Sequence, residues 1–186
     1  MKKNIHDQSV TIVNNLTTEE KAFYWKNKII NFDGNIEVIA SADYLNLIES
    51  MLDISKKKSD IFSNRFSKQL ATNNIISELI ESPNRSTYFL ESQVGVVMLT
   101  IWDFVVDDAK ILLLRDFLNV QIFDVTASLV LVKSDDSLNK RLWKLSWINK
   151  NIQYELYVPD TIDSTNKTFL NRNDVLNLAR KFVKEK

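Results

Sequence analysis

The chain has 186 residues, 45% of them hydrophobic, with 24 basic against 24 acidic side chains, one histidine and no cysteine. These values exclude disulfide scaffolding, thiol catalysis and Cys-ligated zinc. They also count against a dedicated nucleic-acid binder, whose affinity rests on net positive charge. With only Gly34 and Gly95, far apart, a phosphate-cradling loop or dinucleotide fingerprint is not possible.

The length suits one domain over 1–186, able to bury about 70% of its unfolded surface without metal or disulfides. Residues 1–16 read as a polar, partly flexible lead-in with one apolar strip, Val10-Thr11-Ile12-Val13, of edge-strand character. The basic start Met1-Lys2-Lys3 runs into Asn4, His6, Asp7, Gln8 and Ser9, where an export signal needs an apolar run. The longest nearly apolar stretch, Val94 to Val106, is too short to cross a bilayer. The expectation is a soluble, cytoplasmic protein with no membrane partner. Abundant Asn, Lys and Ile with sparse Gly, Pro and Ala fit an AT-rich coding sequence, which hints at a low-GC bacterium.

Residues 17–82 are expected to form a helical half. Thr17-Thr18-Glu19-Glu20 has capping-box form, Ala22, Trp25, Ile29 and Phe32 follow at helical spacing, and Gly34 suits the C-terminal left-handed position. A rival reading turns Asp33-Gly34 into a hairpin between Ile29–Phe32 and Ile36–Ala40, and the helix followed by a short strand is preferred to it. Ser41 opens a second helix with Tyr44, Leu47, Ile48, Met51 and Leu52 along one face. Lys56-Lys57-Lys58 interrupts, and a third helix from Ser59-Asp60 carries Phe62, Phe66, Leu70, Ile76, Leu79 and Ile80 to Pro83.

Residues 88–186 read as a mixed β/α half. Between 94 and 119, β-branching favours a buried strand, while Thr100, Asp103, Asp107 and Lys110 trace a polar stripe that favours helix, at least over 107–118. Val120–Val132 reads as strand. Arg141–Val158 reads as a hairpin about Asn149-Lys150, with Trp143, Leu145 and Trp147 on one face opposite Leu156, Tyr154 and Ile152. Its other face then pairs Lys144 with Glu155 and Ser146 with Gln153. After a polar loop over 160–168, a helix capped by Asn171 or Asn173 closes the chain. The fold class implied is α+β: an N-terminal helical half of about three helices, a small antiparallel sheet including the 141–158 hairpin, and a C-terminal helix packed on the sheet.

Chemistry-bearing constellations are few. Asp103 and Asp107 would share a helix face and could hold a divalent ion or divide acid and base roles, although a solvated stripe is the plainer reading. His6 is poorly placed to activate a hydroxyl nucleophile, and a Ser–Lys arrangement stays open. The hairpin interleaves Arg141, Trp143, Lys144 and Trp147, as single-strand binders do, yet both Trp residues fall on its apolar face. Tyr24 and Tyr157 are the candidate surface aromatics for a protein interface, with Lys56, Lys57 and Lys58 as a basic patch. Neither catalytic residue, cofactor nor metal is assigned. The functional expectation is a non-catalytic cytosolic interaction protein whose partner is another protein. A bacterial cognate inhibitor (immunity protein) or a small subunit of a larger assembly has this profile. The alternatives are nucleic-acid binding through Lys56–Lys58 with Arg65 and Lys68, and a metal-dependent hydrolase centred on Asp103 and Asp107.

Overall fold

Strand, not helix, is the dominant conformation of the described residues. The computed structural model describes residues 9–14, 17, 19, 28–32, 35–40, 42–54, 66–71, 74–134, 140–163 and 168–184. In chain order the strands and helices are β1 (Val10–Val13), β2 (Lys28–Phe32), β3 (Asn35–Ala40), α1 (Ala42–Ile54), β4 (Ile75–Ser82), β5 (Arg85–Ser92) and β6 (Gly95–Asp103). They continue with β7 (Ile111–Leu114), β8 (Val120–Ile122), β9 (Val125–Ser134), β10 (Arg141–Asn149), β11 (Ile152–Pro159), β12 (Thr161–Asp163), β13 (Thr168–Phe169) and α2 (Arg172–Phe182).

One nine-stranded sheet dominates, in the order β2-β3-β9-β10-β11-β6-β5-β4, with β8 sharing the β3 edge of β9. Its pairs are antiparallel except β3 with β9. A separate parallel ribbon joins β1 to β7. Both faces of the large sheet are covered, and each has its own core. On the first, Val175, Leu178, Ala179 and Phe182 of α2 pack among Trp143, Leu145, Tyr154 and Leu156. On the second, Leu45 and Ile48 of α1 pack with Val38, Val130, Val132 and Leu142, beside Leu114 and Phe117.

The expected α+β class with a three-helix N-terminal half is therefore corrected to a mostly β architecture. Of the three N-terminal helices, the second exists as α1, though Leu45 faces inward and Leu47 is exposed. The end of the first is a strand, as the hairpin rival has it, with Ile29 paired to Val38 and Ile30 to Glu37, while Ala22 and Trp25 lie outside the described residues. Where the third is described, it is a short 3-10 turn, Ser67–Gln69, and β4, while its expected start at Ser59-Asp60 and Phe62 lies outside the described residues. Ile76, Leu79 and Ile80 fit helical spacing, but β-branched Ile75, Ile76 and Ile80 also suit a strand, and pairing with β5 decides between them. The helix expected over 107–118 is a turn followed by β7 and the 3-10 turn Arg115–Phe117. Its polar stripe was coincidental, because β6 is buried on both faces and strands of that kind carry unbroken apolar runs.

The 141–158 hairpin and the C-terminal helix on the sheet stand as expected. Asn171 caps α2, accepting from the amides of Asn173 and Asp174, while Asp174 accepts from the Asn171 amide. The hairpin register differs by two residues, which keeps every side chain on its expected face. Trp147 stands opposite Tyr154 and Lys144 opposite Tyr157. The gain is visible: the Trp147 and Tyr154 rings stack 4.9 Å apart, and the Tyr154 hydroxyl donates to Gln69 Oε1 at 2.6 Å. Lys150, at φ 59°, takes the left-handed position of the turn in place of a glycine.

Asp160 ties the end of β11 to the approach of α2. Trp143 Nε1 donates to its Oδ1 at 2.5 Å, Arg141 Nε lies 2.6 Å from Oδ2, and its carbonyl accepts from the Leu170 amide. Burial pushes this carboxyl up to about 6, from 3.8, against the lowering pull of Arg141 and Trp143. The folded state therefore holds the Asp160 proton more tightly than the unfolded chain, and this contribution to stability is lost as pH rises from 3.8 through about 6. In paired urea titrations, the stability of the parent minus that of Asp160→Asn should fall by on the order of 2–3 kcal/mol between pH 4 and pH 7. A constant difference across that range contradicts the burial argument.

Candidate functional site

The second face of the sheet carries a feature that a face packed only for burial would not have. Residues in direct register across an antiparallel pair project to the same side. Ser128 of β9 pairs with Ser146 of β10, Ser146 with Glu155 of β11, Glu155 with Thr100 of β6, and Thr100 with Thr87 of β5. A polar row thus crosses five strands, flanked by apolar positions such as Val130, Tyr157, Met98 and Phe89.

Most of the row is internally satisfied. The Thr87 and Thr100 hydroxyls lie 2.7 Å apart, and Thr87 donates to Glu81 Oε1 at 2.7 Å, with Glu81 in turn 3.0 Å from Arg85. Lys144 Nζ sits 2.8 Å from Glu155 Oε1, both side chains being more than four-fifths buried. Tyr157 donates to Glu155 Oε2 at 3.3 Å, and Lys144 Nζ lies 5.2 Å from the centre of its ring. Burial alone would lower the Lys144 pKa, but Glu155, with the Tyr157 and Tyr44 hydroxyls, holds it raised. Burial likewise raises the Tyr157 phenol, with Lys144 pulling the other way. Lys144 is therefore a fixed cation. A lysine that works as a base needs the opposite shift, so Lys144 does not serve as the base of a Ser–Lys arrangement.

The ribbon of β1 and β7 stands over part of this row. Between them is a cavity of about 450 Å³, floored by Ser128, Lys144, Ser146, Gln153 and Glu155 and roofed by Ile111–Leu114, Phe117 and Leu118. Tyr44 of α1 lines it as well. A second chamber of about 330 Å³ shares Leu113, Leu118, Ser128, Ser146 and Gln153 with the first and runs out beneath Val10 and Ile12. A third hollow of about 240 Å³ continues from Gln153 and Glu155 to Arg85 and Trp102.

The residues singled out by sequence fall elsewhere. Tyr24, Lys56, Lys57, Lys58 and Arg65 lie outside the described residues. Tyr157, expected as a surface aromatic opposite Leu142, is only 7% exposed, because the register places it opposite Lys144 under the second core. Trp143 and Trp147 are buried on the α2 side, as expected from the apolar face of the hairpin. Asp103 and Asp107 bracket a turn, not a helix face. Asp103 Oδ1 accepts from the Val106 amide at 3.3 Å, and Asp107 accepts from Asn84 Nδ2 and Trp102 Nε1, both at 2.7 Å. Among the described residues no group of three or more His, Cys, Asp or Glu could hold a metal ion. No helix among them is long and apolar enough to cross a membrane.

The hairpin pattern places Lys144, Glu155 and Ser146 on one face, the face on which Tyr157 is expected at the surface. The missing signal is the roof, because the polar stripe favours helix over 107–118, where the structure has a turn, β7 and a 3-10 turn. No protein-family model, no curated protein and no solved structure matches the chain.

The ion pair makes a direct prediction. Lys144→Met strands a mostly buried Glu155 and should lower the unfolding free energy by about 2–4 kcal/mol, whereas Lys144→Met with Glu155→Leu should recover most of it. Equilibrium denaturation reads both; a single variant costing under about 1 kcal/mol would mean that water solvates the pair freely.

Proposed function

We propose that this is a non-catalytic protein of the cytosol that acts by binding another protein, as a cognate inhibitor (immunity protein) or a small subunit of a larger assembly does. The observation that carries this reading is the outer edge of β4. It is an eight-residue strand at one end of the sheet order, and its outer side has no strand neighbour among the described residues. Leu79 and Ile80 are 46% and 54% exposed, and as consecutive residues they project to opposite faces of that edge. Irregular register at Ile75/Ser77 and at Ile80/Ser82 brackets a regular stretch between them.

Proteins usually blunt a free apolar edge, because its row of backbone donors and acceptors invites another strand. Here the bulges limit how far pairing runs, and the regular segment keeps two apolar anchors. Strand addition supplies affinity through backbone hydrogen bonds and specificity through alternate side chains.

The test is co-purification from the source cytosol, comparing the parent chain with Leu79→Lys and Ile80→Lys at two salt concentrations. Expected is one protein at near-equal ratio with the parent in both salts, its affinity falling by about 30-fold in either variant while melting temperatures stay within a few degrees. A partner retained by both variants contradicts the edge assignment. Nucleic acid released at higher salt would move the assignment to Lys56–Lys58.

A further inference from the structure

Beyond partner docking at β4, we infer that the roofed cleft on the second face is a binding site for an uncharged amphipathic small molecule. Its apolar body would lie beneath β7, and its hydroxyl or amide head would meet Ser128, Ser146 and Gln153. The strongest single observation is Ser128. It is 8% exposed, lines both main chambers, and its Oγ has no hydrogen-bond partner among the described residues. A buried hydroxyl without a partner is destabilising, so a position that keeps one is best explained by a group that arrives to complete it. In the same row the Thr87 and Thr100 hydroxyls are satisfied by each other.

The chemistry of the head follows from charge. The cleft floor holds one cation and one anion, already paired at 2.8 Å. A carboxylate approaching Lys144 meets Glu155, and an ammonium approaching Glu155 meets Lys144, so a net charge gains nothing from either. A hydroxyl or primary amide can both donate and accept, which matches serine hydroxyls and the Gln153 side chain. The body follows from the roof, where Leu113, Leu118 and Phe117 present apolar surface to the polar floor. At about 450 Å³ the main chamber lies within the range of about 300–1,000 Å³ typical of small-molecule sites.

Four probes with one alkyl chain and different heads test this on the full chain by titration calorimetry: decanamide, 1-decanol, decanoate and decylamine. Saturable one-to-one binding of decanamide and decanol is expected, at least tenfold tighter than decanoate or decylamine. Ser128→Ala should weaken decanamide by roughly three- to tenfold, the worth of one hydrogen bond, and should melt no lower than the parent because it removes an unpaired group. Ile80→Lys should bind decanamide like the parent, which separates this site from the β4 edge. Absence of saturable binding, equal binding of all four heads, or unchanged affinity in Ser128→Ala would each overturn the assignment.

Discussion

Covering the central sheet on both faces is the constraint from which the rest follows. An antiparallel sheet with one solvated face can alternate freely between apolar and polar side chains, but this one has α2 on one side and α1 with the β1–β7 ribbon on the other. Every polar side chain under that cover has to find a partner in register or remain costly. The row Ser128, Ser146, Glu155, Thr100 and Thr87 is the arrangement this chain adopts, and it exists only because β10 and β11 pair with Ser146 opposite Glu155. Lys144, one pleat away, then reaches Glu155 diagonally.

Much of this was legible locally and little of it globally. The alternation of Trp143, Leu145 and Trp147 against Tyr154 and Leu156 identified the hairpin and its faces, because a period of two is hard to imitate by accident. It could not distinguish registers two residues apart, since both keep the same faces; the Trp147–Tyr154 stack and the turn at Lys150 decide that. Capping chemistry at Asn171 and Asp174 located α2 for the same local reason. In β4, Ile76, Leu79 and Ile80 fit helical spacing while β-branching at Ile75, Ile76 and Ile80 suits a strand, and the choice between them lies in β5, which only the folded chain brings alongside. In β6, burial on both faces erases alternation. The polar stripe Thr100, Asp103, Asp107 and Lys110 then favours helix over 107–118 and hides the roof of β7, and with it the fact that Lys144 and Glu155 face a cleft instead of solvent.

The cleft and the β4 edge divide the surface by physical character. At the edge, affinity is available from backbone groups that a neighbouring strand would satisfy, and Leu79 and Ile80 supply apolar anchors. In the cleft, the paired ions are static and mutually neutralising, so they shape the floor without offering reactivity. A mostly buried ion pair contributes little net stability over well-packed apolar residues. Its value lies in selectivity, because it penalises any ligand that carries a charge of its own.

The register between β10, β11 and β6 is the claim on which the polar row and the cleft floor both stand. Cross-strand backbone nuclear Overhauser effects in isotopically labelled protein measure it directly. The structure predicts contacts placing Glu155 opposite Ser146 on one side and Thr100 on the other, with Lys144 opposite Tyr157. Contacts placing Lys144 opposite Glu155 and Ser146 opposite Gln153 would restore the register read from the hairpin alone and contradict the account.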